Sequence, residues 1–128
     1  MLETGIKGSA KTMVTEENTA SAMGSGSLEV FATPAMVALM EECSWKVVLP
    51  YLEEGQGTVG TGLEIQHLSA TPLGMEVTCQ STLTEVDGRK LTFEVEAYDA
   101  AGLIGKGTHQ RFIVDNARFQ AKANAKAI

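Results

Sequence analysis

The chain has 128 residues, 44% of them hydrophobic and 20% charged, which is the composition of one ordinary globular domain. Its net charge of -6 argues against a nucleic-acid partner, because no basic face is available to replace the counterions of a phosphate backbone. No apolar run approaches the ~20 residues that span a bilayer, and the first residues lack the basic and apolar regions of a signal peptide. We therefore expect a cytoplasmic protein without a membrane partner.

The few cysteines and histidines limit the metal and redox chemistry that the chain can perform. Cys43 and Cys79 are its only cysteines, and there are two histidines. A disulfide between the two cysteines is possible but disfavoured, because nothing else indicates an oxidising compartment. No Cys-x-x-Cys motif or other local zinc or iron site is present. The expected protein uses no metal and no cofactor.

The first part of the chain predicts a strand and then a short helix. Residues 6–14 alternate loosely between apolar and polar side chains, as a strand does. Thr15 is the predicted N-cap of a helix that runs through Met23. The small residues 24–27 then form a flexible loop.

A longer and more apolar helix follows this loop. Thr33 is a favoured N-cap residue, and Pro34 is favoured at the first helical position. Apolar residues recur at helical spacing from Met36 to Val48, and Pro50 is expected to end or kink the helix.

Beyond this helix the hydrophobic pattern has a period of two, which is typical of half-buried strands. Asp87-Gly88 predicts a tight hairpin turn, and residues 99–102 predict a slightly longer one. Asp115 and Asn116 can cap a short C-terminal helix that begins at Ala117. The four predicted strands cover residues 58–68, 75–86, 90–98 and 104–114.

This order of elements predicts an α+β fold in which a five-stranded antiparallel sheet curls around one long helix. We expect a single domain over residues 1–128, with its core in residues 5–120 and a helix or tail in residues 117–128. One helix on one face leaves the sheet edges and part of the surface uncovered. Dimerisation is the expected remedy.

Two ionisable residues fall on apolar faces of the predicted elements. Glu41 lies inside the apolar arc of the helical wheel, although it could also lie at the edge of the arc and reach water. His67 could be paired with a carbonyl at the end of its strand. It shares its predicted face with Val59, Thr61, Leu63 and Ile65. An inward acid and an inward imidazole cost free energy unless they are paired or used, so both are candidates for a site.

Thr33 is the third candidate, although a capping role would explain it fully. Eight residues separate Thr33 from Glu41, so the two lie about 12 Å apart along a straight helix. They therefore cannot form a direct hydroxyl-to-carboxylate pair. A relay would need His67 to bridge them, or one member of the trio to come from a second subunit.

Glycines in two of the strands indicate either a close approach to a ligand or simple curvature of the sheet. Gly60 and Gly62 alternate in the first long strand, where glycine weakens packing and is typical of a bulge. The last strand contains a similar pair. His109 and Arg111 share one face of that last strand and, on composition alone, are interpreted as ordinary surface residues.

Several of these residues belong to motifs that resemble the fluoroacetyl-CoA thioesterase family of hot-dog-fold proteins. The resemblance spans about residues 5–120 and keeps its spacing throughout, which makes it much more specific than any single motif. The matching motifs are Val30-Phe31-Ala32-Thr33, Met36-Val37-x-Leu39-Met40-Glu41, Pro50-Tyr51-Leu52-Glu53, Gly60-Thr61 leading to His67, Ala70-Thr71-Pro72 and Gly105-x-Gly107-Thr108-His109-x-Arg111.

The resemblance implies a role for five residues. It places the catalytic threonine, glutamate and histidine on Thr33, Glu41 and His67, and substrate contacts on Gly60 and Arg111. It also implies a sheet wrapped around a helix, and a homodimer whose active sites lie at the subunit interface.

One segment departs from the family pattern. The fluoroacetate-specialised members resemble one another in carrying bulky aromatic residues ahead of the threonine, where they close over the acyl group. This chain has Gly24-Ser25-Gly26-Ser27-Leu28 in that region. The small lid predicts a broader or different short-chain acyl substrate.

The sequence therefore predicts an acyl-CoA thioesterase that releases a small free acid and CoA. Glu41 would either activate water as a general base or attack the carbonyl and form a transient anhydride. A non-catalytic acyl-CoA or small-ligand binding protein of the same fold is the alternative. A hot-dog dehydratase is a third possibility, but the closely spaced Asp and His of such enzymes are not present.

Overall fold

The strands and helices follow the predicted order in the computed structural model, which describes residues 2–127. A single 3-10 turn, Leu49–Tyr51, follows the long helix, where Pro50 prevents the α-helix from continuing. The strands are β1 (Lys7–Met13), β2 (Gln56–His67), β3 (Glu76–Asp87), β4 (Lys90–Asp99) and β5 (Gly102–Asp115), and the helices are α1 (Ala20–Met23), α2 (Thr33–Val48) and α3 (Asn116–Asn124).

The five strands form one sheet in the order β1-β3-β4-β5-β2, and every neighbouring pair is antiparallel. The strands β1 and β2 therefore lie at the two edges. Helix α2 packs against one face and buries the apolar side chains that recur along it, among them Met36, Met40 and Cys43. The prediction of a five-stranded antiparallel sheet around one helix is confirmed.

The first turns of α1 and α2 differ from their predictions. The short helix α1 begins at Ala20, and its cap is Thr19, whose hydroxyl accepts a hydrogen bond from the Ala22 N–H. The prediction of Thr15 as the cap was wrong. Helix α2 contains Thr33 as its first residue, and its N-cap Ala32 provides no side-chain hydrogen bond. The Thr33 hydroxyl is therefore not used for capping.

The predicted hairpin turns are both present but are equal in length. Asp87 pairs with Lys90 and Asp99 pairs with Gly102, so two residues connect each pair of strands. The second turn is thus no longer than the first. Beyond β5, the Asp115 carboxylate accepts a hydrogen bond from the Arg118 N–H, which confirms its predicted capping of α3.

A bulge in β2 changes which of its residues face the helix. The register with β5 shifts between Gly60 and Gly62. Before the bulge Gly60 lies opposite Arg111, which is buried, whereas beyond it Leu63 lies opposite the buried His109. Because an extra residue reverses the alternation, His67 shares a face with Leu63 but not with residues 59 and 61. The predicted face was correct only beyond the bulge.

Cys43 and Cys79 are both buried free thiols, in agreement with the low expectation of a disulfide. The hydrogen bond that the Cys79 thiol makes with Cys43, together with burial, raises the pKa of Cys79, so this thiol stays protonated. Within residues 2–127, no helix is long and apolar enough to cross a membrane.

Candidate active site

A hydrogen bond joins the first residue of α2 to the last residue of β2. The Thr33 hydroxyl lies 2.7 Å from Nδ1 of His67. The other ring nitrogen, Nε2, is inaccessible to solvent and has no hydrogen-bond partner within the described chain. Burial lowers the pKa of His67 below its usual 6.5, so the imidazole is neutral at pH 7. A neutral ring with one unused nitrogen can accept or donate one hydrogen bond, according to its tautomer.

The Thr33–His67 pair forms part of the wall of an open cleft of about 290 Å³. The cleft lies between the start of α2, the end of β2 and the loop after α1, and its remaining wall is mostly small or apolar. Those residues are Ala20, Ser25, Val30, Phe31, Leu68, Ser69 and Ala70. A space of this size and lining suits a small acyl group beside the imidazole.

The segment after His67 is fixed to two other elements. Thr71 is fully buried, and its hydroxyl donates a 2.8 Å hydrogen bond to the Asp99 carboxylate at the β4–β5 turn. The Thr71 carbonyl accepts a 2.8 Å hydrogen bond from the N–H of Phe31. Through Thr71, the Ala70-Thr71-Pro72 motif thus connects the segment after His67 to the segment before α2, and these two segments form opposite walls of the cleft.

Glu41 lies in a second group of polar residues, around Gly60. Its carboxylate oxygen Oε2 is 3.8 Å from Nη1 of Arg111, and the Glu41 side chain remains 44% exposed. A Cβ on Gly60 would lie 3.0 Å from that oxygen and 3.4 Å from Arg111 Nη1. Glu41 is thus neither fully buried nor fully exposed. Gly60 keeps the space between the acid and the guanidinium open.

Arg111 is held in place by the edge strand. Its Nε donates a 2.7 Å hydrogen bond to the Thr58 hydroxyl, and its Nη2 donates a 2.9 Å bond to the Thr58 carbonyl. Only 6% of Arg111 is exposed. The nearby Glu41 carboxylate partly offsets the burial that lowers the pKa of this guanidinium. The paired, buried cation therefore presents a fixed positive charge to the region around Gly60.

His109 is also buried, and it contacts Arg111. The interpretation of His109 and Arg111 as surface residues was therefore wrong. His109, Arg111 and the buried Ile113 recur at a spacing of two along β5, and that spacing was the signal available in the sequence. Their residue types indicated the opposite, because arginine and histidine side chains usually lie on the protein surface.

The structure thus divides the predicted residues into two groups within one chain. Thr33 and His67 form one group, and Glu41, Gly60 and Arg111 form the other. Among the described residues, no hydrogen bond or ion pair joins Glu41 to His67 or to Thr33. The two groups lie at positions eight residues apart on α2, about 12 Å along its axis.

Comparisons with known proteins agree with this fold and with the family resemblance. The family model "FlK: Fluoroacetyl-CoA-specific thioesterase" matches residues 14–117. The fluoroacetyl-CoA thioesterase of Streptantibioticus cattleyicolor is 44% identical over 98 residues, which are 77% of this chain and 70% of the relative.

Solved structures give the same result over nearly the whole chain. One similar structure is a variant of the fluoroacetyl-CoA thioesterase FlK in complex with acetyl-CoA. Its TM-score is 0.93 at 34% sequence identity, and the match covers 99% of this chain and 100% of that chain. A thioesterase superfamily member from Thermus thermophilus has a TM-score of 0.89 at 32% identity, and covers 98% of this chain and 93% of that one. The chain belongs to the fluoroacetyl-CoA-specific thioesterase family of hot-dog-fold proteins.

Proposed function

We propose that this protein is an acyl-CoA thioesterase that hydrolyses a short acyl thioester to a free acid and CoA. The observation that carries the proposal is the hydrogen bond between Thr33 and His67 beside a small cleft, in a chain of this family. The catalytic residues are Thr33, Glu41 and His67. The reaction needs no metal and no redox cofactor, because hydrolysis requires only a nucleophile, proton transfers and stabilisation of an oxyanion.

Glu41 supplies the basic oxygen by one of two routes. As a general base, its carboxylate takes a proton from water while the water oxygen attacks the carbonyl carbon, the C–S bond breaks, and CoA leaves as a thiolate that is then protonated. As a nucleophile, Glu41 attacks the carbonyl carbon itself, CoA leaves, and water hydrolyses the resulting anhydride. Its half-exposed position beside Gly60 gives water and substrate access in either case.

The Thr33–His67 pair and Arg111 act on the substrate from two sides. When the Thr33 hydroxyl donates to Nδ1 of His67, the unpartnered Nε2 carries the proton of the neutral ring and donates a hydrogen bond to the thioester carbonyl. Thr33 thereby fixes the orientation of the ring. Arg111 and the backbone at Gly60 contact the substrate near Glu41. The positive charge of Arg111 favours the negative charge that develops in the transition state.

The proposed enzyme is a cytoplasmic homodimer with active sites at the interface, because a second copy would unite the two groups. Strand β2 is an edge strand that carries Gly60 near its middle and His67 at its end. If two β2 strands paired antiparallel about a two-fold axis near Leu63, Gly60 would lie beside the partner subunit's His67. The exposed side chains of Leu63 and Leu68 would be covered by the same contact.

Variants of the two ionisable residues test the reaction itself. With a panel of acetyl-, propionyl- and butyryl-CoA, the wild type should release free thiol, and Glu41→Gln and His67→Ala should each lower kcat by about 10²- to 10⁴-fold. The enzyme proposal fails if, for each substrate in the panel, the folded wild type releases free thiol at the same rate as the variants. Thermal stabilisation by acyl-CoA without turnover would instead support the non-catalytic binding protein.

Mixed dimers test the shared site. Glu41→Gln and His67→Ala subunits, mixed in equal amounts, form dimers of which about half are heterodimers with one intact site, so about a quarter of the wild-type activity should return. A mixture as inactive as its components, after subunit exchange has been verified with differently tagged chains, would place Glu41 and His67 of one site in the same chain.

A further inference from the structure

His109 lies at the centre of the group around Gly60 but has no role in the proposed reaction. Only 1% of this residue is exposed. Its Nδ1 lies 2.8 Å from the Gly62 carbonyl. Because a carbonyl can only accept, Nδ1 carries the proton. In the neutral ring Nε2 is then an acceptor, and it lies 3.1 Å from Nη1 of Arg111.

The charge state of His109 is fixed by its surroundings. Burial, together with the charge of Arg111, lowers the pKa of this imidazole below its usual 6.5. A protonated ring would also direct an N–H toward the N–H of Arg111. The bulge at Gly62 therefore sets one tautomer, and that tautomer presents a lone pair to the guanidinium.

The hydrogen bonds of Arg111 show what this lone pair achieves. Three of its five N–H groups are used, two by Thr58 and one by His109. The carboxylate of Glu41 lies 3.8 Å from the same Nη1, which is too far for a hydrogen bond. Without the acceptor on His109, Nη1 could turn to Glu41 and close that gap, since an Arg–carboxylate pair is stronger.

We propose that His109 is a positioning residue, which holds Arg111 toward the substrate position at Gly60 and keeps its Nη1 from forming a direct hydrogen bond with the Glu41 carboxylate. This inference rests on the proposed function. It assigns to the bulge in β2 a role beyond curvature, because the Gly62 carbonyl is the start of the chain of contacts. The chain runs from Gly62 through His109 to Arg111 and Glu41.

Two substitutions separate the acceptor from the shape of the ring. His109→Phe preserves a buried ring but removes both hydrogen bonds, and it should lower kcat/KM for acetyl-CoA by about 10- to 100-fold, as loss of a hydrogen bond to a charged group does. His109→Gln places an amide oxygen near the position of Nε2 and should remain within about threefold of the wild type. Equal losses in both variants, or none in either, would overturn the proposal.

The double variant tests whether His109 acts through Arg111. If it does, His109→Phe should add little to the loss already caused by Arg111→Gln. Independent, multiplicative losses would contradict the proposal. Phe93→Leu is the control for packing, because Phe93 lies beside the His109 ring, 6.3 Å between centroids, and touches none of these hydrogen bonds. It should lower Tm without reducing kcat/KM.

A measurement on the unmodified protein keeps the inference testable if His109→Phe does not fold. The ¹⁵N NMR shifts of His109 at pH 7 should report a protonated Nδ1 and a hydrogen-bonded, unprotonated Nε2. A proton on Nε2 would overturn the inference even in an active enzyme. Conversely, a wild type that hydrolyses no acyl-CoA but has the expected tautomer would count against the proposed function and not against the position of His109.

Discussion

At the scale of the residue, Thr33 shows how one side chain can be assigned to the wrong interaction. Threonine before Pro34 is typical of an N-cap, but the cap of α2 is Ala32, and the Thr33 hydroxyl bonds to His67 at 2.7 Å. The helix does not require the hydroxyl, because Pro34 has no N–H to satisfy at the first turn. The hydroxyl is thus available to orient the imidazole.

Substitution of Thr33 distinguishes the two roles. Thr33→Ala should lower kcat/KM at least about tenfold, since the His67 ring loses its partner. Thr33→Ser keeps the hydroxyl and should stay within about threefold of the wild type. The measurements are kcat/KM for acyl-CoA hydrolysis and the Tm of each variant. An alanine variant with full activity but with Tm lowered by the several degrees that follow loss of a cap would restore the capping interpretation.

At the scale of the element, the lid after α1 decides how much of the cleft is open. Residues 24–28 are small apart from Leu28, which is 67% exposed, and Ser25 alone of them lines the cleft beside Thr33 and His67. Because residues 24–28 include no aromatic ring to close over the cleft of about 290 Å³, we expect it to admit chains longer than acetyl. This supports a broader short-chain preference.

An aromatic residue in the lid should narrow that preference. In Ser25→Phe the new ring would occupy part of the cleft and leave less space for the additional methylene groups of a longer acyl chain. We therefore expect kcat/KM to fall at least about tenfold more for butyryl-CoA than for acetyl-CoA. Ser27→Phe is the matched control, since Ser27 does not line the cleft. An equal effect of Ser25→Phe on all chain lengths would contradict this assignment of the lid.

At the scale of the whole molecule, both histidines couple folding to pH. Burial lowers the pKa of His67 and of His109 below the 6.5 of an exposed histidine. The unfolded chain therefore binds protons at a higher pH than the folded chain does. This contribution to stability is fully present above pH 6.5 and is lost as the pH falls through the lower folded pKa values.

We therefore expect Tm to fall between pH 7 and pH 5.5, and to fall less in a His67→Gln, His109→Gln double variant. Thermal unfolding at several pH values, at constant ionic strength, measures the difference in slope. Each single variant should remove part of the slope. Identical slopes in the double variant and the wild type would show that other groups account for the pH dependence.

The sequence alone determined the order of the elements and the family. Apolar spacing along α2 and alternation along the strands predicted the sheet around the helix, because hydrophobic periodicity is local and follows the geometry of each element. The motifs predicted Thr33, Glu41, His67, Gly60 and Arg111 as site residues, and the roles of those residues stay predictions.

Only the tertiary structure decided which of these residues touch. The bulge between Gly60 and Gly62 reverses the strand alternation, which a pattern of period two cannot show. Burial of His109 and Arg111 depends on hydrogen bonds to another strand, because long-range partners make a buried cation tolerable. The division into a Thr33–His67 pair and a Glu41–Arg111 group arises in the same way, from packing between elements that are distant in sequence.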